Sequence, residues 1–163
     1  MPGGTMLDPY RKLKPPSPTP EDEMCCCETV HGLVLLPHLS SNPLVCHTCY
    51  GEVAPERIAL APDLADAIGT WSQFQIAFET LWLDSSEYEE FALDIMEDMN
   101  SPLNQRGYAL AQKLDPSLPC WYFVWQSPPS GTTSASRTCP RWEGELDRTG
   151  KHPECSACKI AVP

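Results

Sequence analysis

Residues 62–114 read PDLADAIGTWSQFQIAFETLWLDSSEYEEFALDIMEDMNSPLNQRGYALAQKL, and this stretch decides the fold class. Pro62-Asp63 opens a helix on which Leu64, Ile68, Trp71, Phe74, Phe78 and Leu81 recur at three- and four-residue steps. That spacing makes one apolar face, which Trp82 widens. Asp84-Ser85-Ser86 interrupts the pattern. Ser86 and Glu89 then stand as a capping box for a second helix, with Tyr88, Phe91, Ala92, Ile95, Met96 and Met99 as its buried stripe. Glu87, Glu90, Asp94, Glu97 and Asp98 fall off that stripe. No histidine or glycine-bearing calcium loop accompanies them, so they read as a solvated face. Asn100-Ser101-Pro102 ends this helix and caps a third, because proline is well tolerated at the first helical position. Leu103, Gly107, Leu110 and Leu114 give the third helix its apolar face. Glycine in mid-helix costs about 1 kcal/mol against alanine, so Gly107 implies a close neighbour.

Outward from this core, Val30 to Leu36 suits a short buried strand. Cys120-Trp-Tyr-Phe-Val-Trp125 is a second strand, apolar on both faces and therefore central or well covered. The expected fold is α+β: a three-helix body with a few short strands and a cysteine-rich tail resembling a zinc ribbon. Four stretches divide the chain. Residues 1–24 form a proline-rich disordered tail, 25–126 the helical body, 127–136 a Pro/Gly/Ser linker and 137–163 the cysteine-rich tail.

The 163 residues carry a formal net charge of −11, which works against nonspecific attraction to nucleic acid or anionic membrane. No apolar run is long enough to cross a bilayer. Met1 to Met24 lacks the apolar core of a secretory signal. Nine cysteines without such a signal point to metal ligation in the cytoplasm rather than to disulfides.

Two Cys-x-x-Cys knuckles, Cys46-His-Thr-Cys49 and Cys155-Ser-Ala-Cys158, can each point two thiolates at one ion, and together they complete a tetrahedral structural zinc shell. Loop closure grows only slowly with length, so the distance between them is no obstacle. A local alternative is Cys139, Cys155 and Cys158 with His152. Either way at most one tightly bound zinc is expected. In Cys25-Cys26-Cys27 neighbouring side chains diverge, so these read as buried or incidental thiols, one of them a spare ligand. His47 reads as solvent-facing or hydrogen-bonded. Gly51 supplies the relaxed backbone that such a turn commonly wants.

The order of motifs from about Val30 to Val162 resembles an uncharacterised bacterial family described as zinc-ribbon-containing and possibly nucleic-acid-binding. The residues that carry it are Pro43-Leu44-Val45-Cys46, Cys49, Trp71, Ser101, Leu103, Gly107, Trp121 to Trp125, Cys139-Pro140, Cys155 and Cys158. The resemblance implies a C-terminal ribbon whose first knuckle is Cys-Pro-x-Cys-Gly-Gly. Here the second ligand of that knuckle is Trp142, which cannot bind zinc, and this favours the shell of Cys46, Cys49, Cys155 and Cys158. The resemblance implies a longer N-terminal α/β region, which this chain is expected to lack, and no lysine or arginine stands between Arg57 and Arg106. The expected function is a non-catalytic zinc protein that presents a surface to a macromolecule, a protein before nucleic acid, and not an enzyme.

Overall fold

The computed structural model describes residues 8–13, 19–37, 42–116, 118–128 and 137–163. It is an α+β fold with a five-stranded sheet. In chain order the elements are β1 (Leu33–Leu35), β2 (Leu44–Cys46), α1 (Pro62–Asp84), α2 (Glu89–Glu97), α3 (Pro102–Leu114), β3 (Cys120–Phe123), β4 (Glu154–Cys155) and β5 (Ile160–Ala161). The strand order is β2-β1-β3-β5-β4. β1, β3 and β5 run parallel, and β2 and β4 close the edges as antiparallel hairpin arms.

Side chains alternate across this sheet as the pleat requires. Leu33, Leu35, Leu44, Cys120, Tyr122 and Ile160 belong to one core with Ile68, Trp71 and Leu110, whereas Val34, Val45, Phe123 and Ala161 form a smaller cluster of their own. The helices are therefore not a separate three-helix body. They share their core with the sheet, and the C-terminal stretch read as a tail supplies two of its strands. Tyr122 N–H donates to Lys159 O at 2.8 Å and Val124 N–H to Ala161 O at 2.9 Å, so β5 completes β3.

Trp71 is fully buried. Its Nε1–H donates to Leu103 O at 3.1 Å, and its ring meets Tyr122 edge-on at 5.8 Å. Gly107 is explained by this meeting: a Cβ there would stand 2.5 Å from Tyr122 and 2.7 Å from Trp71. Asn104, also buried, donates to Met96 O and Asp98 O, each at 2.8 Å, and accepts from the Tyr122 hydroxyl at 2.7 Å. One amide thus joins the C-terminal end of α2 to the central strand. Ser101 caps α3 as its sequence implies, accepting from Asn104 N–H at 3.2 Å.

Other expectations need correction. Ser86 does not cap α2. Its φ is 57°, and the turn is held by Ser85 Oγ accepting from Tyr88 N–H at 2.9 Å. The apolar stripes are wider than the core can cover, leaving Phe74, Tyr88 and Phe91 exposed at 49%, 53% and 56%. Within residues 1–24, read as disordered, the described parts pack on the body. Leu13 is buried, and Tyr10 donates its hydroxyl proton to Leu60 O at 2.8 Å. Of the stretch read as a linker, residues 129–136 lie outside the described residues; Ser127 N–H donates to Glu97 Oε1 at 2.6 Å. Among the described residues no helix is long and apolar enough to cross a membrane.

Candidate metal centre

The hairpin β1–β2 delivers the first knuckle. Cys46 ends β2, and the chain turns through His47 and Thr48 to Cys49. Tyr50 N–H closes the turn on Cys46 O at 2.8 Å, and Cys46 N–H donates to Gly51 O at 2.9 Å. The left-handed residue is Tyr50, at φ 58°, and not Gly51. Gly51 is required for a different reason: a Cβ there would lie 2.6 Å from Cys25 N. The N-terminal segment runs against this turn, bridged in parallel through Met24 and Glu52, with Cys25 N–H donating to Glu52 O at 2.8 Å. Residues two apart on an extended chain point to the same side. Cys25 and Cys27 thus both reach the knuckle, and Cys26 is exposed.

The sulfurs of Cys25, Cys27, Cys46 and Cys49 all lie within 4.8 Å of one another, and Cys27 and Cys46 are 3.9 Å apart. A tetrahedral zinc with bonds of about 2.3 Å spaces its sulfurs by about 3.8 Å. Four thiolates in this arrangement fit a structural zinc ion, the use for which all-sulfur shells are known. In the metal-free chain, burial pushes the Cys49 thiol up, but hydrogen bonds from the Gly51 backbone, the Cys25 and Cys27 thiols and the Cys26 backbone outweigh it. The result is a value of about 6. Cys27 moves the other way, to about 12, because it donates to the Cys49 sulfur and is desolvated beside Cys46.

The second knuckle pair gathers three thiols. Cys139, Cys155 and Cys158 have their sulfurs within 4.8 Å of one another. Burial raises the Cys155 thiol, but the Trp142 indole and the Cys158 backbone N–H prevail and lower it. Cys158 is held up to about 12 by burial and by the Cys155 and Cys139 sulfurs.

The expected shell is therefore corrected. Cys46 and Cys49 do not join Cys155 and Cys158. β1, β3 and β5 stand between β2 and β4, and each knuckle finds its partners on its own edge of the sheet. The segment that completes the first cluster supplies two ligands, Cys25 and Cys27, where the sequence offered incidental thiols with one spare ligand among them. His152 is no ligand of the second cluster. It packs on Tyr50 at 5.0 Å and Phe123 at 5.3 Å, and burial followed by the Lys151 charge holds it below its usual value against the pull of Glu154. His47 stacks on Trp121 at 3.9 Å, with Nε2 2.9 Å from Glu154 Oε2. It thus links the first knuckle to the strand that carries Cys155. All nine cysteines are thiols without a disulfide partner. In comparisons with protein-family models, curated proteins and solved structures, nothing matches this chain.

Proposed function

We propose that the protein is a non-catalytic zinc protein in which Cys25, Cys27, Cys46 and Cys49 hold one structural ion, and that the fold it staples presents a docking surface to another protein. The observation that carries the second half is the exposed aromatic patch of α1 and α2. Phe74 and Phe78 border an apolar groove of about 280 Å³ with Ile95, Pro102, Leu103 and Arg106, and Phe91 stands 6.3 Å from Phe78. Exposed apolar groups grouped in this way mark interaction sites more often than singly scattered ones do. Glu87, Glu89, Glu90, Asp94 and Asp98 are exposed carboxylates on and beside α2, which repels a phosphate backbone and favours a basic, apolar segment of a protein.

A four-sulfur shell leaves no coordination position for a substrate, which supports a structural role over a catalytic one. Nine free thiols suit a reducing compartment, the cytoplasm in this reading. The motif order that resembles the zinc-ribbon family supports the metal half. The test compares the wild-type chain with Phe74→Ser/Phe91→Ser in affinity purification from native extract, and in titrations with single-stranded RNA and duplex DNA. Partners captured by the wild type and lost by the variant support the reading. Steeply salt-dependent nucleic-acid binding that the variant retains would replace it with nucleic-acid contact through the 137–163 stretch.

A further inference from the structure

The stretch Cys139 to Gly144 repeats the backbone of the first knuckle bond for bond, although its second ligand is missing. Glu143 N–H closes on Cys139 O at 2.9 Å, as Tyr50 N–H closes on Cys46 O. Cys139 N–H donates to Gly144 O at 2.8 Å, as Cys46 N–H donates to Gly51 O. Glu143 is left-handed at φ 62°, matching Tyr50. Lys159, which follows Cys158, is left-handed at φ 52°. Non-glycine residues hold such angles at a cost of order 1–3 kcal/mol each, and they persist where the surroundings over-determine them. Two knuckle turns thus face one another around three sulfurs.

The position of the fourth ligand holds an indole. Trp142 Nε1–H donates to Cys155 Sγ at 3.2 Å. Gly144 makes room for the ring, since a Cβ there would lie 2.0 Å from Trp142 Cζ2. Cys158 N–H donates to the same sulfur at 3.4 Å. Indole nitrogen is a donor only and offers no lone pair to a metal. The set does not fit the closed four-coordinate shell that structural zinc requires.

We propose that Cys139, Cys155 and Cys158 form a three-thiolate site for a soft, low-coordinate ion, monovalent copper, distinct in selectivity from the four-thiolate centre. Soft thiolates select monovalent copper alongside zinc, and a trigonal plane with bonds of about 2.3 Å spaces its sulfurs about 4 Å apart, within the separation found here. The indole donates to a sulfur, Cys155 Sγ, that the monovalent ion leaves electron-rich. The site is near the surface: Cys158 is partly exposed and Trp142 is 58% exposed, so an ion can be delivered and withdrawn without unfolding.

The test uses the full reduced chain carrying one zinc equivalent, titrated anaerobically with monovalent copper buffered by bathocuproine disulfonate, with both metals counted. One copper equivalent should bind with the zinc retained, and the share of tryptophan emission that Trp142→Phe removes should be quenched. Cys139→Ser should lose the copper and keep the zinc. Trp142→Cys, which restores a fourth thiolate, should take up a second zinc and, loaded with cobalt(II), show about twice the thiolate-to-metal absorption of the wild type. Copper that enters only as zinc leaves would overturn the proposal, as would a wild-type chain that holds two zinc ions equally tightly or fails to compete with the chelator. Copper binding at one equivalent in a chain that takes no zinc would leave this inference standing and remove the zinc half of the proposed function.

Discussion

Replacing Cys25 and Cys27 with serine removes half of the proposed first shell, the half carried by the N-terminal segment. Among the described residues, Thr19 to Cys27 is tied to the body by five hydrogen bonds to oxygen, beside the weak Cys46–Cys27 thiol contact. They run from Cys25 N–H to Glu52 O, from Glu52 N–H to Glu23 O, from Thr19 Oγ1 to Glu52 Oε2, and from the Arg57 guanidinium to Cys25 O and Cys27 O. At about 1–1.5 kcal/mol net apiece they contribute about 5–8 kcal/mol. Fixing the backbone of these nine residues costs about 9–18 kcal/mol. The proposed four-thiolate zinc site, worth about 10–16 kcal/mol at neutral pH, would cover the shortfall. The double variant should therefore lose one zinc equivalent. The amides at position 25 and at Glu52 should exchange hydrogen at nearly open-chain rates, while the amides of α1 and α3 around Trp71 keep their protection. Zinc counting and hydrogen-exchange mass spectrometry read both results. Full zinc retention with the amide at position 25 still protected would refute the assignment of this segment as a ligand carrier.

Gly107→Ala should destabilise the fold by about 1–3 kcal/mol despite the better helix former, since the new methyl group overpacks Trp71 and Tyr122; thermal or urea unfolding measures it. Glu90→Gln with Asp94→Asn should leave melting temperature and metal content unchanged, because both carboxylates are exposed on α2 and away from either thiol cluster. In metal-free protein at pH 7, alkylation followed by mass spectrometry should label Cys49 well before Cys27, since the thiolate resides on Cys49. The sign of the linked stability follows. A thiol lowered to about 6 on folding contributes stability that is fully present above the ordinary thiol value of 9.0 and fades as pH falls through about 6. A metal-free chain that becomes more stable between pH 9 and pH 6 would contradict it.

Helix placement was legible because it rests on local rules. Pro62, Pro102 and the Ser101 cap mark starts that the structure reproduces. The apolar periodicity also places Trp71 and Ile68 correctly in the core. Periodicity gives the angle of a face but not the width of what covers it. Phe74, Tyr88 and Phe91 lie on the stripes, yet α1 and α2 meet the core along a narrower seam, and the outer aromatics remain in water. The two-residue strands β4 and β5 are too short to show alternation, so the junction of the C-terminal stretch with β3 carried no local signal.

The same division between local and long-range information governs the ligands. A knuckle is encoded by its own spacing, and Cys46/Cys49 and Cys155/Cys158 were found by it. Which knuckle shares an ion with which is decided by strand order, and that order sets the two on opposite edges. The missing half of the first shell was present as Cys25-Cys26-Cys27, and it was read as three neighbours that diverge. Taken as alternate residues of an extended strand, the first and third point the same way and make a Cys-x-Cys pair. Extension here is imposed from outside, by the Met24–Glu52 bridge and by a backbone approach that only Gly51 permits. The ligand pair and the glycine that admits it lie 24 residues apart at their nearest, from Cys27 to Gly51. Neither signals a metal centre until the hairpin brings them together.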